Sequence, residues 1–163
     1  MASELKNLSE FEVSDIPDAS KMKFGIIWAE WNIHITSSLK NGAYDTLIKH
    51  GAIPNNIIIK SVPGAFELSL GGQYMAEFVD VDAIICIGCL IQGDTKHFDF
   101  ISEAVAKGIT DLNLKYNKPF IFGVLTTHTE IQALDRAGGK HGNKGDEAAV
   151  TAIKMLHLKN SFH

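Results

Sequence analysis

A histidine stands just beyond a glycine turn in the middle of the chain. The segment from Asp82 to Phe100 reads DAIICIGCLIQGDTKHFDF: an apolar run from Ala83 to Ile91, the polar turn Gln92-Gly93-Asp94-Thr95, then a helical pattern with His97 in its first turn. The run is too short for a buried helix and rich in isoleucine, so it predicts a strand covered on both faces. Backbone amides at such a turn attract an anion, and a histidine one turn in can move protons beside it near neutral pH. Phosphate binding at Gly93 to Thr95 with acid–base chemistry at His97 is one reading. The plainer one is that Asp94 or Thr95 only caps the helix and His97 faces solvent. If an anion binds here, the Asp94 carboxylate must turn away and leave the amides and the Thr95 hydroxyl to hold it.

Other residues invite the same weighing. Cys86 and Cys89, the only cysteines, have a CIGC spacing that suggests redox or zinc chemistry. In a strand, residues three apart lie about 10 Å apart, whereas a disulfide needs Cα atoms within roughly 7 Å. A zinc site needs about four ligands and there is no second cysteine pair. Both cysteines read as small strand residues. Arg136 and Lys144 flank a loop with four glycines, Gly138 to Gly145. They are either solvated or, for the arginine, suited to bidentate phosphate binding. That loop matches neither the Walker pattern nor GxGxxG. Trp31 and Phe66 fit stacking on a flat heterocycle, but core packing is the better reading of such residues. Glu67 after Pro63-Gly64 reads as solvated, capping, or an acceptor for a substrate, and His128 is a second strand-end histidine.

The elements that would position these residues follow from pattern. Met22 to Ala29 predicts a first strand, with Asn32 as N-cap of a helix to His50 whose apolar residues Ile35, Leu39, Ala43 and Leu47 recur every four positions. Asn56 to Val62 predicts a second strand, and a helix from Ala65 to Phe78 follows Pro63-Gly64. Gly71-Gly72 inside it suggests close packing on another backbone. The third strand leads into a helix from Thr95 to Tyr116. Phe120 to Thr126 predicts a fourth strand, Thr129 to Ala137 a short helix, and Asp146 to Leu158 a last helix with Ala149, Ile153 and Leu156 inward. This order predicts an α/β protein of the flavodoxin-like kind. Its four-stranded parallel sheet lies between helices on both faces, a three-layer α/β/α sandwich. We expect an N-terminal arm over residues 1–21 and one domain over 22–163. Sites in such sheets lie off the carboxyl ends of the strands.

Bulk properties narrow the class. A chain of 163 residues suits one domain. Hydrophobic content of 45% and charged content of 21% describe a globular protein. A net charge of −4 argues against nucleic acid as a partner. No apolar run is long enough to span a membrane, so no membrane partner is expected. The first twenty residues hold five acids and one lysine with no signal-peptide core, which leads us to expect a cytoplasmic protein.

Taken together, these residues resemble the lumazine synthase family of riboflavin biosynthesis. The resemblance covers about Lys23 to Leu158. It is carried by Trp31-Asn32 before a helix, VPGAFEL at Val62 to Leu68, IGCLIQGDTKHFDF at Ile87 to Phe100, FGVLTT at Phe122 to Thr127, and DRAGGKHGNKG at Asp135 to Gly145. The family condenses 5-amino-6-(D-ribitylamino)uracil with 3,4-dihydroxy-2-butanone 4-phosphate. The product is 6,7-dimethyl-8-ribityllumazine, with phosphate and water released. No cofactor or metal is implied.

By position, the resemblance implies that Trp31 stacks on the pyrimidine and that Ala65, Phe66 and Glu67 hold the ribityl chain and nearby polar atoms. It implies that Cys89, Leu90 and Ile91 frame the pyrimidine edge, and that Asp94, Thr95 and Arg136 bind the phosphate substrate. His97 would move protons. Phe122 would come from a neighbouring subunit, with Lys144 near the same interface. Gln92 and Glu30 stand where arginine is common in the family, and Asp94 where small residues are frequent. The family forms pentamers, and in some members twelve pentamers build a 60-subunit icosahedral shell. The short loop from Ala137 to Gly145 is similar to shell-forming members, and a shell could hold riboflavin synthase. The arm would add a strand to a neighbour's sheet. Two rival readings use the same residues: a non-catalytic flavin- or nucleotide-binding module, and a purely structural cage protein.

Overall fold

The four apolar runs form one sheet. In the computed structural model, which describes residues 16–162, β1 (Phe24–Ala29), β2 (Ile57–Val62), β3 (Ala83–Ile91) and β4 (Phe120–Thr127) run parallel. Their order is β2-β1-β3-β4. The chain starts in the middle at β1, moves out to β2, then crosses back to β3 and β4. The order reverses between β1 and β3, and a doubly wound sheet opens a crevice at that point.

Helices cover both faces. Helix α1 (Ile33–Lys49) and α5 (Lys144–Asn160) pack on one, while α2 (Leu68–Phe78) and α3 (His97–Tyr116) pack on the other. The expected apolar stripe of α1 is fully buried: Ile35, Leu39, Ala43 and Leu47 each have no exposed surface. In β3, Ile85, Ile87 and Cys89 join the α1/α5 core, and Ile84 and Cys86 join the α2/α3 core. Residues of opposite parity therefore leave the sheet on opposite faces. This places the two cysteines in separate cores, both buried and both free.

Several boundaries differ from expectation, each for a local reason. Ala65–Glu67 forms a 3-10 turn ahead of α2 rather than its first residues. Helix α3 starts at His97, not Thr95, because the Thr95 hydroxyl accepts from the His97 amide at 3.3 Å and holds the turn apart from the helix. The short helix α4 spans only Glu130–Leu134, with Thr129 as its N-cap. The glycine loop is partly ordered as an antiparallel ribbon, β5 (Ala137–Gly139) with β6 (Gly142–Asn143). Gly138 and Gly142 supply its left-handed positions. Ser38 of α1 anchors the ribbon, donating to the Ala137 carbonyl at 2.5 Å and accepting at its own carbonyl from Asn143 Nδ2 at 3.0 Å.

Helix α5 begins two residues earlier than expected because Asn143 caps it, its Oδ1 accepting from the Gly145 amide at 2.8 Å. The expected approach of Gly71 to another backbone is not what the fold shows: a Cβ there would come within 2.7 Å of Val62 Cγ1, a side-chain atom, so the glycine makes room for side chains of the sheet. Of the expected arm, residues 1–15 lie outside the described residues. Ile16 and Ala19 are buried in the α1/α5 core, and the Ala19 amide donates to the His50 carbonyl at 2.9 Å.

The closest approach is that of α5 to α1. A Cβ on Gly145 would stand 1.9 Å from the Leu39 carbonyl oxygen, a backbone atom that cannot swing aside. We expect Gly145→Ala to destabilise the fold by about 3 kcal/mol through overpacking. Denaturant midpoints at matched protein concentration read this out, and an unchanged midpoint would mean that the helices have room to part.

Candidate active site

Three strand exits are tied together at the carboxyl edge. Beyond β1, the Glu30 amide donates to the Val62 carbonyl at 2.8 Å and the Trp31 amide to the Pro63 carbonyl at 3.0 Å. This continues the β1–β2 pairing past the strands and brings Trp31 beside the Gly64–Glu67 turn. Asn32 then breaks the strand with a left-handed backbone, φ 59°. Its side chain makes no cap bond, contrary to expectation. It reaches across instead and donates from Nδ2 to the Cys89 carbonyl at 3.1 Å, fastening the β1 exit to β3. The Asn32 carbonyl takes over at the helix start, accepting from the Ile35 and Thr36 amides.

The cleft between these exits has a volume of about 580 Å³. Trp31, Ala65, Phe66 and Glu67 line one side, Cys89, Leu90 and Ile91 the floor, and Gly93, Thr95 and His97 the other side. Ten residues singled out from sequence thus line one cleft, and Asp94 lies between two of them in sequence. That residue lies in the exposed turn and does not line the cleft, which suits an anion held by the turn's amides. The core reading of Trp31 and Phe66 is overturned: they are 73% and 57% exposed. Both follow strand ends in turns, where no second layer stands to cover them.

Three other predicted residues lie elsewhere. Phe122, Arg136 and Lys144 line a second cleft of about 550 Å³ along the free edge of β4, and no residue lines both clefts. Lys144 pairs there with Glu147, one helical turn on, and both are largely buried. The three-residue spacing at the start of a helix is the sequence signal for that pair. Arg136 donates from its guanidinium to the Gln132 carbonyl at 2.9 Å. Sequence reasoning passed over Phe98 and Ile101 as lining residues of the first cleft, which Asn32 at the β1 exit also lines. The Asn32 contact has no sequence signal, because its partner is a backbone atom 57 positions away.

Electrostatics distinguish the floor from the walls. Burial pushes the Cys89 thiol up to about 12, with the Glu130 carboxylate adding to the effect, and burial alone does the same to Cys86. Neither is a thiolate near neutral pH, so Cys89 offers shape and its carbonyl rather than a nucleophile. Glu30 is turned to Ser61, whose hydroxyl donates to it at 2.7 Å. His34 Nε2 meets Glu130 at 2.6 Å, joining the starts of α1 and α4 behind the cleft.

A parallel, helix-covered sheet with a ligand-sized cleft at its switch point defines a flavodoxin-like α/β protein, and that cleft is its candidate site. Comparison with known proteins is more specific. The family model for 6,7-dimethyl-8-ribityllumazine synthase matches residues 21–160. A 6,7-dimethyl-8-ribityllumazine synthase of Cytophaga hutchinsonii is 61% identical over 156 residues, 96% of this chain and 98% of the relative. Those of Parabacteroides distasonis and Porphyromonas gingivalis are 56% and 53% identical, each spanning at least 97% of this chain and 99% of the relative. The chain belongs to the 6,7-dimethyl-8-ribityllumazine synthase family.

The buried thiols give a direct check on the floor of the cleft. A thiol-specific reagent at pH 8 should leave both cysteines of the native protein unmodified and label both after denaturation. Rapid native labelling at Cys89 would show that the floor is open and the thiol activated.

Proposed function

We infer that the chain condenses 5-amino-6-(D-ribitylamino)uracil with 3,4-dihydroxy-2-butanone 4-phosphate to 6,7-dimethyl-8-ribityllumazine, as a transferase of riboflavin biosynthesis. The observation that carries the site reading is the convergence of Trp31, Phe66, the Gly93–Thr95 turn and His97 on one cleft. The pyrimidine lies against Trp31, with its edge along Cys89, Leu90 and Ile91. The ribityl chain runs by Ala65, Phe66 and Glu67, the carboxylate accepting hydroxyl hydrogen bonds. The phosphate sits at the turn, held by amides and the Thr95 hydroxyl.

The chemistry follows from that placement. The 5-amino group adds to the ketone carbonyl, and water leaves to give an imine. Loss of the proton on the hydroxyl-bearing carbon expels phosphate from its neighbour, and the enol left behind ketonises to a new carbonyl beside a methyl group. The ribitylamino nitrogen then adds to the remaining carbonyl, and a second water leaves as the ring closes. His97 donates and accepts the protons of these steps. Holding two substrates in register supplies much of the rate.

Phe122, Lys144 and Arg136 complete the site from a neighbouring copy. Their place in a separate cleft on the free edge of β4 supports this, because within one chain they share no lining with the first cleft. A surface that meets a different surface of the next copy makes a heterologous contact, and a closing rotation turns that contact into a ring. We place five copies in the ring and, from the short glycine segment, up to sixty in a shell able to enclose riboflavin synthase. Two unpaired cysteines fit a reducing compartment, the cytoplasm. No helix among the described residues is long and apolar enough to cross a membrane. A non-catalytic flavin-binding module or a bare cage is not favoured by the family membership.

With both substrates present, the protein should form a fluorescent lumazine. His97→Ala should lower kcat by about a hundredfold or more, with KM values changed little. Absence of product from the wild-type protein would sink the activity, and a fully active His97→Ala would remove the histidine from proton transfer.

A further inference from the structure

Gln92 and His128 stand at the carboxyl ends of the adjacent strands β3 and β4, and the reaction above gives neither a role. The Gln92 amide donates to the Thr127 carbonyl at 2.9 Å, which carries the β3–β4 ladder one residue beyond β3 to the last residue of β4. At that point the His128 ring donates from Nδ1 to Gln92 Oε1. His128 is itself held from behind. Its amide donates to Gln132 Oε1 at 3.0 Å, and the Thr127 hydroxyl donates to the Thr129 carbonyl at 3.0 Å. The ring therefore reaches out from a fixed backbone to the last residue before the anion turn.

The turn needs such a tie. Gly93, Asp94, Thr95 and Lys96 are all exposed, and a Cβ built on Gly93 would meet no heavy atom within 4 Å. The Thr95 hydroxyl accepts from the His97 amide, which ties the turn to the start of α3 and not to the sheet. We propose that His128 is a positioning residue for the phosphate-bearing substrate, its clasp on Gln92 setting where the amides of Gly93 to Thr95 point. This rests on the reading that the turn binds phosphate. The same histidine leads to the other anion-binding group. Gln132, whose side chain holds the His128 amide, accepts at its carbonyl from Arg136. A hydrogen-bonded path thus joins the turn in one cleft to the arginine of the other.

Steady-state kinetics of the assembled enzyme test the clasp through His128→Ala, Gln92→Ala, the double variant and His128→Asn. Loss of one hydrogen bond that orders the turn should raise KM for the phosphate ketone about fivefold to tenfold in either alanine variant. The value of kcat and KM for the amine should stay within about twofold. The double variant should be no worse than the singles, because one interaction is removed either way. His128→Asn, whose amide reaches the place of Nδ1, should restore much of the loss. Inorganic phosphate, titrated calorimetrically, should weaken in the same order without any turnover. Unchanged ketone KM and phosphate affinity, equal rises for both substrates, or additive losses would each overturn the clasp. A wild-type protein that binds phosphate in this order yet forms no lumazine would instead overturn the activity.

Discussion

The central strand β3 is buried on both faces, and that constraint shapes everything around it. Seven residues in a row, Ala83 to Cys89, are closed off from water by two helical layers and two neighbouring strands. Such a strand has no room for polar side chains along its length, since each would lose its hydration without a partner. Polar chemistry must wait until the strand leaves the sheet. The first polar side chain comes at Gln92, and the turn and His97 follow within five residues. The flanking strands obey the same logic at Trp31-Asn32 and at Gly64–Glu67, so the cleft collects what the sheet cannot hold.

What was legible from residue order is the part governed by periodicity. The unbroken apolar run of β3 and the four-residue spacing of α1 point to a buried strand and a packed helix, and both hold without a change of register. The CIGC pair loses its redox reading on strand geometry, and in three dimensions the two sulfurs enter opposite cores. What periodicity cannot show is the end of an element. Asn32 looks like a helix cap by type, yet it spends its side chain on a backbone carbonyl of another strand. Trp31 and Phe66 look like core by type, and only their place past the strand ends leaves them bare. The ribbon at Ala137–Asn143 is hidden in a glycine-rich loop because its order comes from Ser38, 99 positions from Ala137 and 105 from Asn143.

The two clefts explain a second feature. Large aromatics at the surface attract partners, and a lone exposed one needs no explanation. Here Trp31, Phe66 and Phe122 are exposed in two separate clefts together with the charged residues singled out from sequence. The proposed ring of identical subunits would use them as two half-sites, each copy lending one cleft to the next. The sheet order matters to this: β4 is an edge strand, so the second cleft opens outward while β3 keeps the first at the switch point.

The claim that one active site draws on two copies can be measured by mixing inactive chains. His97→Ala damages the first cleft and Arg136→Ala the second, and each homogeneous assembly should be inactive. Dissociated, mixed in equal amounts and reassembled, the two variants place an intact first cleft against an intact second cleft at about a quarter of the interfaces. The account predicts that the mixture regains about that fraction of wild-type activity. A mixture as inactive as its components would contradict a shared site and confine the chemistry to a single chain.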